Sequence, residues 1–338
     1  MESQGWSAAL QEAGLQARVV DARHAADLRQ EIENLRREGC LDQEFFDERL
    51  TFFEYNPPPG LAAARSLIIV AVPHPQSRLG VVWQDRELEV LVPPTYVRYR
   101  QVDQLAQRLL EERLVPAGHR VVRAHLPSKA LAVHSGLARY GRNNVCFVPD
   151  MGSYLRLVGF WSDMPVEHDG WGPAGMMEAC EACSACRKAC PTGAIPSDRF
   201  LLRAERCLTF HDERTADFPA WIDPGWHECL VGCMRCQRIC PANRPHRDWS
   251  VVSASFCADE TDWLLKKTEL SQLPENLRSK LEGLDLAEYW EVLRRNLKAF
   301  LLRSQACPGT VKLAVEDGPP VGRDLRAGLP HDGSWRRE

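Results

Sequence analysis

Two runs of cysteine, each ending in a Cys-Pro pair, constrain the fold of this 338-residue chain more than any other feature. The first run is Cys180-x2-Cys183-x2-Cys186-x3-Cys190-Pro, and the second is Cys233-x2-Cys236-x3-Cys240-Pro. Two-residue spacings let successive thiolates converge from one tight loop, while the cysteine before the proline turns away and ligates the other cluster of a two-cluster ferredoxin. The runs therefore predict two [4Fe–4S] clusters that form an electron relay.

Two cubane clusters need about eight thiolate ligands, and the runs supply all but one of them. By the cross-ligation rule, one cluster takes the set Cys180, Cys183, Cys186 and Cys240. The other takes Cys190, Cys233, Cys236 and either Cys207, which stands alone between the runs, or Cys229, which precedes Cys233 closely. The remaining cysteines are expected to be small apolar residues: Cys40, Cys146, Cys257 and Cys307.

Zinc and disulfide bonds are the competing explanations for these cysteines. Zinc also accepts Cys-x2-Cys pairs, but it does not require a third cysteine two residues on and a fourth before a proline. A disulfide framework is disfavoured because the N-terminus has neither the basic nor the apolar region of an export signal. The cysteine pattern is therefore typical of iron–sulfur ligation in a reducing cytoplasm.

The composition is that of an ordinary globular protein, with 44% hydrophobic and 26% charged residues. The longest apolar run in the first half, residues 67–72, is too short to span a bilayer. A net charge of −4 gives no global electrostatic case for nucleic-acid binding. We therefore expect a cytoplasmic protein that makes no membrane contact.

Hydrophobic periodicity predicts an α+β fold with four parts. Residues 1–167 are expected to form an α/β cofactor domain, 168–250 a double-cluster ferredoxin-type module, 251–308 a C-terminal helical segment and 309–338 a loose tail. Within the first domain, helices are predicted at 24–38, 102–114 and 128–137. Strands are predicted at 66–72, twice within 81–92 with a turn at 85–86, and at 119–123, 145–148 and 154–160.

A polar, glycine-rich stretch is the best candidate for a cofactor site in the first domain. No G-x-G-x-x-G follows a strand and no phosphate-binding loop is present, so neither nucleotide motif is indicated. Glycines permit close backbone approach, and the adjoining arginine, asparagine and serine side chains can donate hydrogen bonds to a large ligand. The candidate cofactor-binding residues are Gly141, Arg142, Asn143, Asn144, Gly152 and Ser153.

The order of these motifs resembles the epoxyqueuosine reductase family, whose members are cytoplasmic relatives of the reductive dehalogenases. The resemblance rests on Ser-Gly-Leu-x3-Gly-Arg-Asn from Ser135, Gly152-Ser153, both cysteine runs and Cys207 between them, and extends from about residue 52 to Asn296. It implies a nitroreductase-like α/β domain that binds base-off cobalamin, reduced through two [4Fe–4S] clusters. It also implies Cys207, rather than Cys229, as the eighth ligand and an external low-potential electron donor of the flavodoxin or ferredoxin type.

The chain departs from the family where the substrate is protonated. Epoxyqueuosine reductases place an acidic residue just before a proline, about a dozen residues upstream of Ser-Gly-Leu, as the proton donor. Residues 121–127 contain no Asp or Glu, so the same proton transfer has no donor there. We therefore expect the cofactors to be kept, a small molecule or a modified nucleoside as substrate, and tRNA to be a poor candidate.

Four side chains near the expected pocket are candidate replacements for that acid. Tyr140 is the first choice and His125 the second, followed by His134 and Lys129. Two hypotheses about function follow. The chain is either a cobalamin- and iron–sulfur-dependent reductase with its own substrate, or an electron-transfer or corrinoid-reducing partner without one.

Overall fold

The computed structural model describes residues 5–306, so Cys307 and the predicted tail at 309–338 lie outside the described residues. Nine strands lie in this range: β1 (Gln16–Asp21), β2 (Ser66–Pro73), β3 (Gln76–Trp83), β4 (Arg86–Val92), β5 (Val121–Arg123), β6 (Arg139–Tyr140), β7 (Cys146–Phe147), β8 (Leu155–Ser162) and β9 (Ser250–Phe256). The helices are α1 (Gly5–Glu12), α2 (His24–Arg37), α3 (Gln43–Arg49), α4 (Tyr99–Leu114), α5 (Ser128–His134), α6 (Ala185–Ala189), α7 (Leu208–Asp212), α8 (Arg235–Arg238), α9 (Ala258–Leu265), α10 (Glu275–Gly283) and α11 (Trp290–Ala306).

A four-stranded antiparallel sheet with the order β1-β2-β8-β5 forms the centre of the N-terminal half. Side chains of β2 alternate between its two faces. Leu67 and Ile69 pack into a core shared with α2 and α5, whereas Ile68 and Val70 pack into a core shared with α1 and α4. Because helices cover both faces, β2 is a continuous apolar run, which is why the sequence identified it.

A second sheet with the order β4-β3-β9 joins the C-terminal segment to the N-terminal half. β3 pairs antiparallel with β4 and parallel with β9. The turn between β3 and β4 lies at Gln84 and Asp85, with φ of 49° and 59°, one residue earlier than predicted. One face of this sheet packs against α9, α10 and α11.

The α+β class predicted from the sequence is confirmed, but three strands were missed: β1, the two-residue β6 and β9. β1 and β9 lie at the edges of their sheets, and β9 opens the segment predicted to be helical over 251–308. That prediction was wrong for residues 251–256 because β9 is stabilised by pairing with β3, far away along the chain. The division into an α/β domain, a cluster module and a C-terminal segment stays a prediction.

An aromatic stack fixes the segment that leads into the cysteine runs. The Trp171 ring lies between His24 and His134, with ring centroids 4.2 and 4.7 Å away. His24 Nε2 is 2.8 Å from Asp169 Oδ2, and His134 Nε2 is 3.0 Å from Glu31 Oε2. The stack therefore ties residues 169–171 to α2 and α5.

The contact between His134 and Glu31 predicts a pH-dependent stability. The hydrogen bond that His134 donates to Glu31 raises the pKa of His134, although burial opposes the shift. A raised folded-state pKa stabilises the protein below the unfolded value of about 6.5 and loses that effect as pH rises through the folded value. We expect His134→Gln to lower Tm by roughly 2–4 °C near pH 5.5, which corresponds to about 1 kcal/mol, and by less near pH 8.5.

The measurement is thermal unfolding followed by circular dichroism at both pH values. Glu31→Gln is the matched variant, because it removes the other partner of the same contact and should show the same pH dependence. Equal losses of Tm at both pH values would mean that the contact acts through packing alone.

Candidate iron–sulfur electron-transfer site

The first predicted set of cluster ligands lies around one pocket. Its wall contains Cys180, Cys183, Cys186 and Cys240. Cys180 ends a short 3-10 turn, Cys186 lies in helix α6, and Cys183 lies between these two elements. Cys240 lies at the end of the second run, just after α8. Soft thiolate donors from a tight loop and one distant residue suit a cubane iron–sulfur cluster.

For the second set, the cysteines that lie near each thiol show which residues are neighbours. Burial raises the pKa of the Cys207 thiol, and the nearby Cys190 adds to the shift. Burial also raises the pKa of Cys236, with further contributions from Cys207 and Cys190. Burial likewise raises the pKa of Cys233, with further contributions from Cys229, Cys236 and Cys207. The structure therefore brings the four predicted ligands together, with Cys229 next to Cys233.

Cys229 has a different environment from Cys207. It is 1% exposed and packs with Leu91, Tyr154 and Met234 in a small apolar cluster. Its backbone forms a β-bridge with Leu91. These contacts are those of a core residue, which favours Cys207 as the eighth ligand, although the ligand set stays a prediction. Among residues 5–306, no three Cys, His, Asp or Glu side chains converge closely enough to hold a single metal ion.

The hairpin loop between β6 and β7, residues 141–144, lies against the cluster loops. Arg142 Nε donates to the Cys183 carbonyl oxygen at 3.0 Å, and its Nη2 donates to those of Cys180 and Glu181. Asn144 Oδ1 accepts the backbone N–H of Leu202. The loop therefore holds two segments of the cysteine-rich region by their backbones.

Two glycines allow this close approach. A Cβ on Gly141 would lie 2.5 Å from Asn143 Oδ1 and 2.6 Å from Phe147 Cε2. Gly152 has φ of +57°, and a Cβ there would lie 2.5 Å from Asn243 Oδ1. At Gly152, residues that follow the second cysteine run pack directly on the backbone, whereas at Gly141 a side chain would collide with neighbours in the hairpin itself.

Ser153 makes the second connection to the cysteine-rich region. Its backbone N–H donates to Asn243 Oδ1 at 2.9 Å, and its hydroxyl donates to Gln237 Oε1 at 2.9 Å. Asn243 Nδ2 also donates to Ser153 Oγ at 2.8 Å. Sequence reasoning missed Gln237 and Asn243. Each is an amide side chain close in sequence to a predicted ligand: Gln237 follows Cys236 by one residue, and Asn243 follows Cys240 by three. That proximity is the signal that could have indicated them.

A buried carboxylate–imidazole pair joins α7 to the segment that precedes the second cysteine run. Asp212 Oδ1 and His227 Nδ1 are 3.2 Å apart, with side chains 1% and 0% exposed. Burial raises the pKa of Asp212 to about 6, and His227 opposes this shift. Asn296 Nδ2 donates to the Asp212 carbonyl oxygen at 2.9 Å. Asn296, at which the family resemblance ends, therefore anchors α7, the helix that follows Cys207.

The two candidate catalytic residues occupy different surroundings. Tyr140 packs against Phe200 with ring centroids 5.4 Å apart, and burial raises the pKa of its phenol. His125 is exposed, and its carbonyl oxygen accepts the backbone N–H of Glu54 at 2.8 Å. Of the other candidates, Lys129 Nζ donates to the Asn144 carbonyl oxygen at 3.4 Å. The catalytic roles stay predictions.

The position that precedes Pro127 is part of the hydrophobic core. Leu126 is 3% exposed and packs with α5 and the sheet. A carboxylate contributes to the raised pKa of Tyr140: burial is the largest cause, Cys146 is the second and Glu31 is the third. Glu31 lies on α2, more than a hundred residues before Tyr140, so no local sequence pattern could have indicated it.

Comparison with known proteins agrees with the motif analysis. Residues 179–243 match the family described as a 4Fe-4S double cluster binding domain, which confirms the prediction of a double-cluster domain. Epoxyqueuosine reductase from Pseudomonas aeruginosa is 36% identical over 113 residues, which cover 33% of this chain and 30% of that protein. The match therefore spans less than a third of the relative's own length, but it confirms the resemblance.

Solved structures share the fold. Epoxyqueuosine reductase from Streptococcus thermophilus aligns with a TM-score of 0.61 and 19% identity over 90% of this chain and 82% of that one. An epoxyqueuosine reductase with an epoxyqueuosine-modified tRNA-Tyr stem loop aligns with a TM-score of 0.59 and 20% identity over 87% and 78%. Separately, no helix among residues 5–306 is long and apolar enough to cross a membrane.

Proposed function

We propose that this chain is an iron–sulfur-dependent reductase of the epoxyqueuosine reductase type that uses cobalamin and acts on a small molecule or a modified nucleoside. The observation that carries the proposal is the hairpin loop at residues 141–144, which binds the Cys180–Cys183 loop from the α+β side. Such a direct attachment of the α+β part to the ligand loops is expected of an enzyme that uses the electrons to reduce its own substrate. A free electron carrier needs no such attachment.

Electrons would enter from an external low-potential donor and pass between the clusters. One cluster would be held by Cys180, Cys183, Cys186 and Cys240, and the other by Cys190, Cys207, Cys233 and Cys236. The protein's own contribution is to fix both ligand sets near each other and to shield the second set partly from water, since its four cysteines are half-buried.

Cobalamin is the less direct part of the proposal. It would supply a metal centre that accepts single electrons and reacts with the substrate. Of its six predicted contact residues, Arg142, Asn144 and Ser153 already use their side chains on the cysteine-rich region. These three would therefore reach a corrin mainly through their backbone groups, while Tyr140 and Glu31 offer protonatable side chains.

The test is anaerobic titration of cluster-loaded protein with cob(II)alamin, followed by visible spectroscopy. We expect binding of about one cobalamin per chain with the spectrum of the base-off form. The same titration of protein without clusters is the control for nonspecific binding. Loaded protein that leaves the cobalamin spectrum unchanged would contradict the reductase proposal and favour an electron-transfer or corrinoid-reducing partner.

A further inference from the structure

The side chain of Thr192 contacts a sulfur atom of the second predicted ligand set. Thr192 Oγ1 lies 3.4 Å from Cys190 Sγ, and among residues 5–306 this hydroxyl has no other hydrogen-bond partner. The threonine is only 3% exposed, so bulk water does not replace that contact. A buried hydroxyl without a partner costs about 1–3 kcal/mol. The sulfur therefore decides where the hydroxyl points.

A turn fixes the threonine relative to the cysteine. Pro191 and Thr192 occupy its two central positions, and the Gly193 N–H closes it by donating to the Cys190 carbonyl oxygen at 3.4 Å. Proline at the first central position and glycine at the fourth are favoured in such turns. The turn is also held from outside, because Arg206 Nε donates to the Thr192 carbonyl oxygen at 3.0 Å. The Cys-Pro-Thr-Gly sequence therefore keeps the hydroxyl beside the sulfur.

Ligation decides which of the two atoms donates this hydrogen bond. In a free thiol, either Sγ or Oγ1 carries a hydrogen atom that it can donate. A cysteine that binds iron does so as a thiolate, which carries no hydrogen and can only accept. Thr192 is then the donor. A hydrogen bond to an ionised acceptor is also stronger than one between two neutral groups.

We propose that the Thr192 hydroxyl donates a hydrogen bond to Cys190 Sγ in the cluster-loaded protein and thereby raises the reduction potential of the second cluster. The inference rests on the proposed function, since it requires both clusters and the external electron donor. Reduction adds one electron from that donor, breaks no covalent bond and leaves the proton on Oγ1. The added negative charge spreads onto the ligand sulfurs, so the hydroxyl stabilises the reduced form more than the oxidised form. Thr192 is a positioning residue because it touches a ligand rather than the substrate.

Three substitutions separate the hydroxyl from the shape of the side chain. Thr192→Val has nearly the same shape and removes the donor without adding charge. Thr192→Ser keeps the donor and removes only a methyl group, and Thr192→Ala differs from the serine variant by the hydroxyl alone. Thr261→Val is the matched control, because Thr261 is also buried and its hydroxyl donates to the Phe256 carbonyl oxygen rather than to a sulfur.

The experiment is an EPR-monitored redox titration of the anaerobically reconstituted full chain, with dithionite as reductant and iron content measured for each variant. In Thr192→Val, we expect the equilibrium constant for reducing one cluster to fall about tenfold, which for one electron is about 59 mV. Thr192→Ala should show the same fall, Thr192→Ser should keep the original midpoint, and Thr261→Val should change neither midpoint. Unchanged midpoints in a fully loaded Thr192→Val protein, or an equal fall in Thr192→Ser, would refute the hydrogen bond.

A measurement on the unsubstituted protein covers the case in which the variants do not load clusters. With threonine labelled by 17O at its hydroxyl, pulsed EPR of the reduced protein should detect coupling between a cluster and that oxygen. Absence of the coupling would also overturn the proposal. Failure of the unsubstituted protein to bind iron would contradict the proposed function instead, so the two failures are distinguishable.

Discussion

Replacing Cys207 by serine is expected to remove one of the two clusters. Anaerobically reconstituted protein should bind about eight irons, four per cubane, and Cys207→Ser should retain about half of them because a cubane needs its one distant thiolate. The physical basis is the proximity of Cys207 to Cys190 and Cys236. Cys190 contributes to the raised pKa of Cys207, and both Cys207 and Cys190 contribute to the raised pKa of Cys236. Iron and sulfide assays together with the visible charge-transfer absorbance measure the loss.

Cys229→Ser is the matched control and should keep both clusters. Its side chain packs in an apolar cluster, so serine would bury a hydroxyl and lower stability by about 1–3 kcal/mol without removing a ligand. Cys229→Ala avoids that cost and separates a folding defect from a ligand defect. Loss of half the iron in Cys229→Ala, with full iron in Cys207→Ser, would reverse the ligand assignment.

The second large effect concerns the substrate. We expect little or no conversion of epoxyqueuosine in tRNA to queuosine, because residues 121–127 contain no carboxylate and Leu126 lies in the core. Loss of a positioned general acid typically reduces a rate by about 10²–10⁴-fold. The measurement is complementation of a strain that lacks epoxyqueuosine reductase, with queuosine in its tRNA read by mass spectrometry.

The positive control is an epoxyqueuosine reductase expressed from the same vector. Full restoration of queuosine by this chain would show that another residue supplies the proton and that the tRNA substrate is retained. Tyr140, His125 and Glu31 would then be replaced in turn. Glu31 is included because its carboxylate contributes to the raised pKa of Tyr140. A variant that loses queuosine while keeping its iron would identify the donor.

Local sequence patterns predicted the features that depend on local chemistry. The spacing of the cysteines predicted a double-cluster domain, and the apolar run of β2 predicted a strand buried on both faces. β9 was not predicted, because its pairing partner β3 lies more than 150 residues earlier. The polar, glycine-rich composition of residues 141–144 predicted a cofactor site, but not that Arg142 binds the backbone of the cysteine loop. Contacts between distant segments leave no periodic signal in one sequence.

The attachment of Arg142 to the first cysteine loop bears on how the clusters are assembled. A metal site usually does not exist before the metal binds, so ion binding has to offset the entropy of ordering the ligand loops. Here the carbonyl oxygens of Cys180 and Cys183 are bound by the guanidinium group of a separate hairpin. We therefore expect folding of the α+β part to order this loop in the absence of iron. Cluster insertion would then follow folding rather than nucleate it.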